Sequence, residues 1–249
     1  MLIGITERGD AGLDLSWLYK LDKLNGAILI TKNLNDAFID SVLLHRESII
    51  VHATITGFGG TILESNVPTL DWSYRQLSKL VAQRFPIDQI VLRIDPIIPT
   101  VKGLKVVRSV LDKFKHSGIN RVRFSFIDMY PHVKERFKQA GLRNPYEGVL
   151  NSFSPPSYMA SEAKELFREY THLYSFESCA EYITKEDNIE PMGCISQKDL
   201  NLLGIFEKPD FTRHKGQRHS CRCPGFKTEL LSNKAPCAHG CLYCYWRNK

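Results

Sequence analysis

Cysteine carries most of the chemistry legible in this chain. Seven cysteines include a terminal set, Cys237-Ala-His-Gly-Cys241-Leu-Tyr-Cys244, at CxxxCxxC spacing. Three thiolates can hold three irons of a four-iron, four-sulfur cube, which leaves the fourth iron open to a substrate or cofactor. Ligands this close in sequence need a tight loop, and Gly240 lets the backbone bend between Cys237 and Cys241. A zinc knot is the rival reading, and it takes four ligands, the fourth from His239 or an upstream Cys. A disulfide framework fits neither the odd cysteine count nor the N-terminus. There Met1-Leu-Ile-Gly-Ile5 is too short for a secretory core, and Glu7 and Arg8 follow at once. Five of the seven cysteines fall between Cys221 and the end of the chain, which argues against incidental buried thiols.

A second set is Cys179, Cys194, Cys221 and Cys223. Its spacing is irregular, so two readings stand: a closed zinc or iron–sulfur site, or incidental thiols. Arg213, His214, Lys215, Arg218, His219 and Arg222 surround Cys221. Their positive charge would stabilise thiolates and a net-negative cluster. It would equally suit the phosphates of a nucleic acid.

The elements that must position these thiols follow an alternating pattern. Short β-branched runs at 2–6, 26–31, 48–56, 89–94, 121–126 and 172–176 read as strands covered on both faces. Between them run apolar stripes at helical spacing: Tyr74, Leu77, Leu80 and Val81; Leu104, Val107, Val110, Leu111 and Phe114, closed by Gly118; and Ala163, Leu166, Phe167 and Tyr170. The alternation predicts a parallel sheet with right-handed crossovers, an α/β fold of TIM type with the barrel complete or incomplete. An open doubly wound sheet is the alternative. Residues 1–178 form the barrel, and 179–249 form a cysteine-rich C-terminal cap packed on it as one structural unit. The segment 151–157 is the best linker candidate. The chain has 249 residues, 43% of them apolar and 24% charged, which is ordinary for a globular fold. No apolar run approaches a membrane span, and reduced cysteines fit a cytoplasmic setting. The formal net charge of +6 allows an anionic partner such as DNA or a nucleotide.

Polar residues crowd just after each predicted strand: Glu7, Arg8 and Asp10; Lys32 and Asn33; Gly57-Phe-Gly59 with Glu64 beyond; Asp95; Asp128 and Tyr130; Glu177 and Cys179. Barrel enzymes build their sites at that end of the strands. Arg93 and Arg123 differ, because each sits inside a run that should be buried and needs a partner there. Asp95 or Asp128 can supply one for Arg93.

The CxxxCxYC spacing resembles the cluster motif of radical S-adenosylmethionine (SAM) enzymes, although here it ends the chain instead of following the first strand. Cys241-Leu-Tyr-Cys244-Tyr and Arg93-Ile-Asp-Pro96 also resemble parts of the spore photoproduct lyase pattern. Over nearly its full length the chain is similar to an uncharacterised bacterial and phage family, a domain of unknown function assigned to radical-SAM-like barrels. The matching pieces are Thr6 to Asp10, Thr31-Lys-Asn33, Thr54 to Gly59 with Glu64 and Val67-Pro68, Arg93 to Ile97, Ser125 to Asp128 with Tyr130, Cys179-Ala-Glu181, Cys194, Gln217-Arg218, Cys221-Arg-Cys223, and Cys237 to Tyr245. The first of these reads Glu7-Arg-Gly-Asp10, a departure that places Arg8 and Asp10 more firmly than Glu7.

The resemblance implies a [4Fe-4S] cluster on Cys237, Cys241 and Cys244, with SAM on its open iron and an electron donor as partner. It implies catalytic or substrate contacts from Glu64, Asp95, Arg93 and Asp128. Cofactor contacts would come from Tyr243, Gly57, Gly59, Lys32, Asn33, Arg8 and Asp10. It supports a second [4Fe-4S] cluster or zinc on Cys179, Cys194, Cys221 and Cys223. The substrate stays open, with a nucleobase or DNA in view. A metal-stabilised nucleic-acid-binding module without catalysis is the alternative.

Overall fold

The β-branched runs become strands because their side chains are buried on both sides of one sheet. In the computed structural model they are β1 (Ile3–Ile5), β2 (Gly26–Thr31), β3 (Ile49–Thr54), β4 (Ile90–Ile97), β5 (Arg121–Phe126) and β6 (Ser175–Cys179), joined by β7 (Glu190–Met192) and β8 (Lys227–Glu229). The structure describes residues 2–149, 153–181, 187–206, 221–231 and 237–246. Among the described residues, six α-helices connect the strands: α1 (Asp36–Leu44), α2 (Leu70–Ala82), α3 (Val101–Phe114), α4 (Pro131–Gln139), α5 (Ser157–Glu169) and α6 (Gln197–Leu202). Capping side chains fix where several begin. Asn35, Thr69 and Thr100 each accept a hydrogen bond from a first-turn N–H, and Ser196 and Asp199 form a reciprocal capping box. Among the described residues, no helix is long and apolar enough to cross a membrane.

All pairings are parallel, in the order β7-β6-β5-β4-β3-β2-β1-β8. Among the described residues the sheet is a curled half-barrel, with β7 and β8 as its two edges instead of a closed TIM barrel. Both edge strands come from residues 179–249, so the cysteine-rich segment extends the sheet as well as capping it. The sixth strand starts at Ser175, three residues later than its apolar pattern predicts. Leu173 and Tyr174 instead donate their N–H groups back to Tyr170 O, closing the turn after α5. Of the linker candidate, residues 151 and 152 lie outside the described residues, and Ser157 opens α5.

Alternation along the strands sorts side chains between two faces. The convex face carries the main core, where Phe38, Leu77, Val107, Phe114 and Phe167 pack from the helices onto Leu29, Val51, Leu92 and Phe124. On the concave face Ile3, Ile5, Ile28, Ile30, Ile50 and Val91 meet Ile195 and Leu200, so α6 fills part of the half-barrel.

The rest of the concave face is charged. Register pairs Arg93 with Arg123, and Arg123 with Glu177. Arg121 and Arg123 are almost wholly buried, and each reaches Glu177, at 3.0 and 2.9 Å. Asp199 accepts from Arg121 at 2.7 Å and from Arg123 at 3.3 Å. His52 Nε2 lies 3.3 Å from Arg123, and burial followed by the Arg123 charge pushes this histidine well below its ordinary range. Burial raises the Asp199 carboxyl, but Arg123 and Arg121 outweigh it and hold the group far below the usual carboxylate range. A depressed folded value gives stability that is complete above the unfolded value of about 4 and is lost as pH falls further. Asp199→Asn should therefore lose less stability than the parent between pH 6 and pH 3, measured by denaturant melts at both pH values.

Candidate functional site

The terminal cysteine loop lies over the C-terminal ends of β1, β2 and β3, held by contacts across the whole chain. Gly240 takes φ +58°, so the chain turns back between Cys237 and Cys241. Leu242 N donates to Leu63 O at 3.0 Å, and Asn66 Nδ2 donates to Ala238 O at 3.0 Å. From α4, Arg136 donates to Leu242 O at 2.8 Å and to Cys244 O at 2.5 Å. Cys241 and Tyr243 are buried against Val67, Ile98, Ile127, Met129 and Phe137, whereas Cys237 is exposed and Cys244 half-buried. Burial pushes the Cys241 thiol up to about 12, with Lys32 acting the other way.

His239 bears on the zinc rival. Its Nε2 lies 2.9 Å from Asp10 Oδ2 and its Nδ1 lies 3.2 Å from Asn66 O, with the ring 3% exposed. Both nitrogens lie within hydrogen-bond distance of oxygen acceptors, so the ring is engaged with Asp10 and Asn66. The loop thus presents three thiols and no histidine ligand.

Asp10 works through that histidine. It also accepts from Thr31 Oγ1 at 2.6 Å, from Lys32 N at 2.6 Å and from Gly12 N at 2.9 Å. Burial raises its carboxyl, yet the His239 hydrogen bond and charge bring it below its ordinary value. Glu64 is the other clamp. Its Oε1 accepts from Lys32 Nζ at 2.8 Å and from the Tyr243 hydroxyl, and its Oε2 accepts from Thr56 at 2.7 Å. Lys32 also stands 5.5 Å from the centre of the Tyr243 ring. Sequence reading offers Lys32, Tyr243 and Asp10 as cofactor contacts and Glu64 as a catalytic or substrate contact. In the structure their polar atoms bond to one another and to the cysteine loop, so they position the thiols. Tyr243→Phe should keep the fold while loosening the loop, read as faster hydrogen exchange at Leu242 and Cys244.

The glycine-rich loop also turns inward. A Cβ on Gly59 would meet Pro68 O at 1.8 Å, and one on Gly57 would meet Val106 at 2.5 Å. The close approach made possible by these glycines is to the protein's own chain. Asn33 donates its N–H to Thr31 Oγ1 at 2.8 Å. The backbone N–H of Arg8 donates to Glu229 at 3.1 Å, while its guanidinium lies 5.3 Å from the Trp246 ring centre.

Arg93 and Asp95 form an ion pair at the mouth, each slightly exposed, and Asp95 accepts from Ser125 Oγ at 2.5 Å. Asp95, not Asp128, is therefore the partner of Arg93. Asp128 sits half-buried in the loop after β5, near Tyr146. Thr54, in register with Arg93, has no hydrogen-bond partner for its hydroxyl among the described residues.

The second cysteine set also converges. Cys179 and Cys194 sulfurs are 3.8 Å apart, and Cys194 N donates to Cys223 Sγ at 3.0 Å. Cys223 N donates to Cys221 Sγ at 3.5 Å. Glu7, which sequence reading sets aside, brings its carboxylate within 4.8 Å of the Cys194 and Cys223 sulfurs. Arg93 lies close enough to Cys194, Cys179 and Tyr245 to feel their charge. Of the basic segment, Arg213, His214, Lys215, Arg218 and His219 lie outside the described residues, as does Gln217.

Sequence reasoning missed Arg121, His52 and Asp199 as one network. An arginine repeated at i and i+2 within a buried strand was the available signal. A separate apolar groove of about 720 Å³, lined by Phe58, Ile98, Val101, Val106, Phe137 and Tyr158, flanks the barrel and contains none of the candidate residues. No curated protein and no solved structure matches the chain. Residues 16–246 match the domain of unknown function DUF1848, and the chain belongs to that family.

Proposed function

We propose that the protein is a radical SAM-type enzyme with an open iron–sulfur cluster on Cys237, Cys241 and Cys244. The observation that carries this reading is the three-thiol loop, clamped at the barrel mouth with its one histidine already committed to Asp10 and Asn66. Three ligands fit a cube with one open iron and fall short of a closed zinc site. When bound, such a cluster supplies one electron that splits SAM into methionine and a 5′-deoxyadenosyl radical, and a low-potential reductant replaces the electron.

The chain's own residues then have defined tasks. Asp10, His239, Glu64, Lys32 and Tyr243 hold the thiol loop. Arg93, Asp95 and Thr54 offer charge and hydrogen bonds to whatever enters beneath it. The substrate proposed is a nucleobase or DNA, supported by the basic balance of the chain.

Protein purified without oxygen should hold about four irons and as many sulfides that depend on the triad. Reduced with dithionite, it should release 5′-deoxyadenosine from SAM, read by chromatography. Cys237→Ala, Cys241→Ala and Cys244→Ala together should abolish both signals. Fully iron-loaded protein that never yields 5′-deoxyadenosine, with or without DNA or nucleotides, would overturn the reading. Tight, salt-sensitive DNA binding by that same protein would favour a binding module.

A further inference from the structure

Three groups that can ligate a metal meet from distant parts of the chain. Glu7 stands two residues beyond β1, Cys194 two residues beyond β7, and Cys223 four residues before β8. β7 is one edge of the sheet, and β8, paired with β1, is the other. One carboxylate oxygen and the two sulfurs all lie within 4.8 Å of one another. Among the described residues neither Cys179 nor Cys221 joins that group. They flank it: the Cys179 sulfur is 3.8 Å from that of Cys194, and Cys221 Sγ accepts from Cys223 N at 3.5 Å.

Backbone contacts hold the three in place. A Cβ on Gly193 would meet Arg222 O at 2.7 Å and Cys223 N at 2.8 Å, so the chain beside Cys194 is pressed against the chain at Cys223. Cys194 N donates to Cys223 Sγ at 3.0 Å, an arrangement that favours a thiolate there. Glu229 Oε2 accepts from the N–H groups of Glu7 and Arg8 at 3.0 and 3.1 Å, which fixes the turn that carries Glu7. Cys194 and Cys223 are buried, but the Glu7 side chain is 26% exposed, so an ion and a water can reach the group from that side.

We propose that Glu7, Cys194 and Cys223 bind one divalent ion of the zinc class, with water in the fourth position. Bonds of about 2.3 Å to sulfur and about 2.1 Å to a carboxylate oxygen put tetrahedral ligand atoms about 3.6–3.8 Å apart. The three atoms, within 4.8 Å as they stand, need to close by about an ångström at most. Two thiolates with one carboxylate suit zinc, whereas calcium and magnesium take oxygen ligands. With a dication the set carries a net charge of about −1, which Lys227 offsets. Lys227 Nζ holds Glu7 Oε2 at 2.5 Å, and a carboxylate so held still has a second oxygen for the metal. The ion joins the β7 edge to the β1–β8 edge, two parts of the sheet that strand pairing leaves at opposite ends. Its binding does not depend on the chemistry proposed for the terminal triad.

The test uses the full chain carrying Cys237→Ala, Cys241→Ala and Cys244→Ala, so that only metal outside the terminal loop is read. It should hold about one zinc per chain, and zinc-edge X-ray absorption should fit two sulfurs at about 2.3 Å with lighter ligands at about 2.0–2.2 Å. If that chain does not fold, the parent purified without oxygen should carry the same single zinc beside its iron. Exchange with Co2+ should give the charge-transfer bands of two thiolates, and Cys223→Ser should halve them. Glu7→Gln should weaken zinc binding by roughly 100-fold, the upper end of what loss of even a supporting group costs a metal site. Cys179→Ser and Cys221→Ser should leave both the bands and the affinity in place. Four outcomes overturn the proposal. Four sulfurs around the metal, with bands that weaken in Cys179→Ser or Cys221→Ser, mean a tetrathiolate. About four irons with sulfide in the triad variant mean a cube. Unchanged affinity in Glu7→Gln removes the carboxylate from the ligand set. No metal retained after zinc is supplied means incidental thiols.

Discussion

Glu177→Gln should lower stability by roughly 3–5 kcal/mol, the usual cost of removing one partner from a buried ion pair. Glu177 is wholly buried and receives both Arg121 and Arg123, while Asp199 alone remains to face them. The parent network sets the Arg121 and Arg123 guanidinium groups against Glu177 and Asp199, with the more exposed Lys198 at its edge, 3.6 Å from Glu177. The variant leaves one positive charge uncompensated inside the half-barrel, where no water can reach it. Differential calorimetry should show a fall of roughly 10 °C or more for a chain of this size. Adding Arg121→Gln restores neutrality, so the double variant should recover part of the loss. If the two losses simply add, the four groups do not act as a network.

The second large effect is expected at Glu64. Glu64→Leu removes the acceptor of Lys32, Tyr243 and Thr56 in one step. Lys32 is then left nearly buried without its hydrogen-bonded carboxylate, and the Tyr243 side chain of the cysteine loop loses its tie to the barrel. If the terminal loop holds the proposed cluster, Glu64 acts as a positioning residue, and iron retention and turnover should fall together, by about tenfold or more if roughly 1.5 kcal/mol of loop positioning is lost. Glu64→Gln should rescue much of the iron content, because an amide oxygen still accepts from Tyr243 or Lys32. Were Glu64 instead a contact for SAM alone, Glu64→Leu would keep its full iron and lose only 5′-deoxyadenosine production. Anaerobic iron analysis beside a SAM-cleavage assay separates these outcomes.

Local physics wrote much of this fold into the chain. Gly26–Thr31 and Arg121–Phe126 form strands over the same residues that their β-branched and aromatic composition indicates. The stripes at Leu77 and Leu80, at Val107, Val110 and Leu111, and at Leu166 and Phe167 face the core at helical spacing. The CxxxCxxC loop is also plain from its spacing, whereas the second thiol set is irregular in sequence and its members meet only in the fold.

Other features exist only through contacts between distant residues. Glu190–Met192 and Lys227–Glu229 are three-residue edge strands with no apolar alternation, and pairing with β6 and β1 alone makes them strands. Arg121 and Arg123 look out of place in a buried run until Glu177 and Asp199 arrive beside them from 56 and 76 residues away. His239 reads as a spare metal ligand in sequence, and only its contact with Asp10, 229 residues distant, shows that the ring is already committed. The sequence by itself determined which residue types could bind iron or zinc. The tertiary structure decided which thiols meet and at what spacing, because that depends on how a parallel sheet curls and on where its two unpaired edges come to lie.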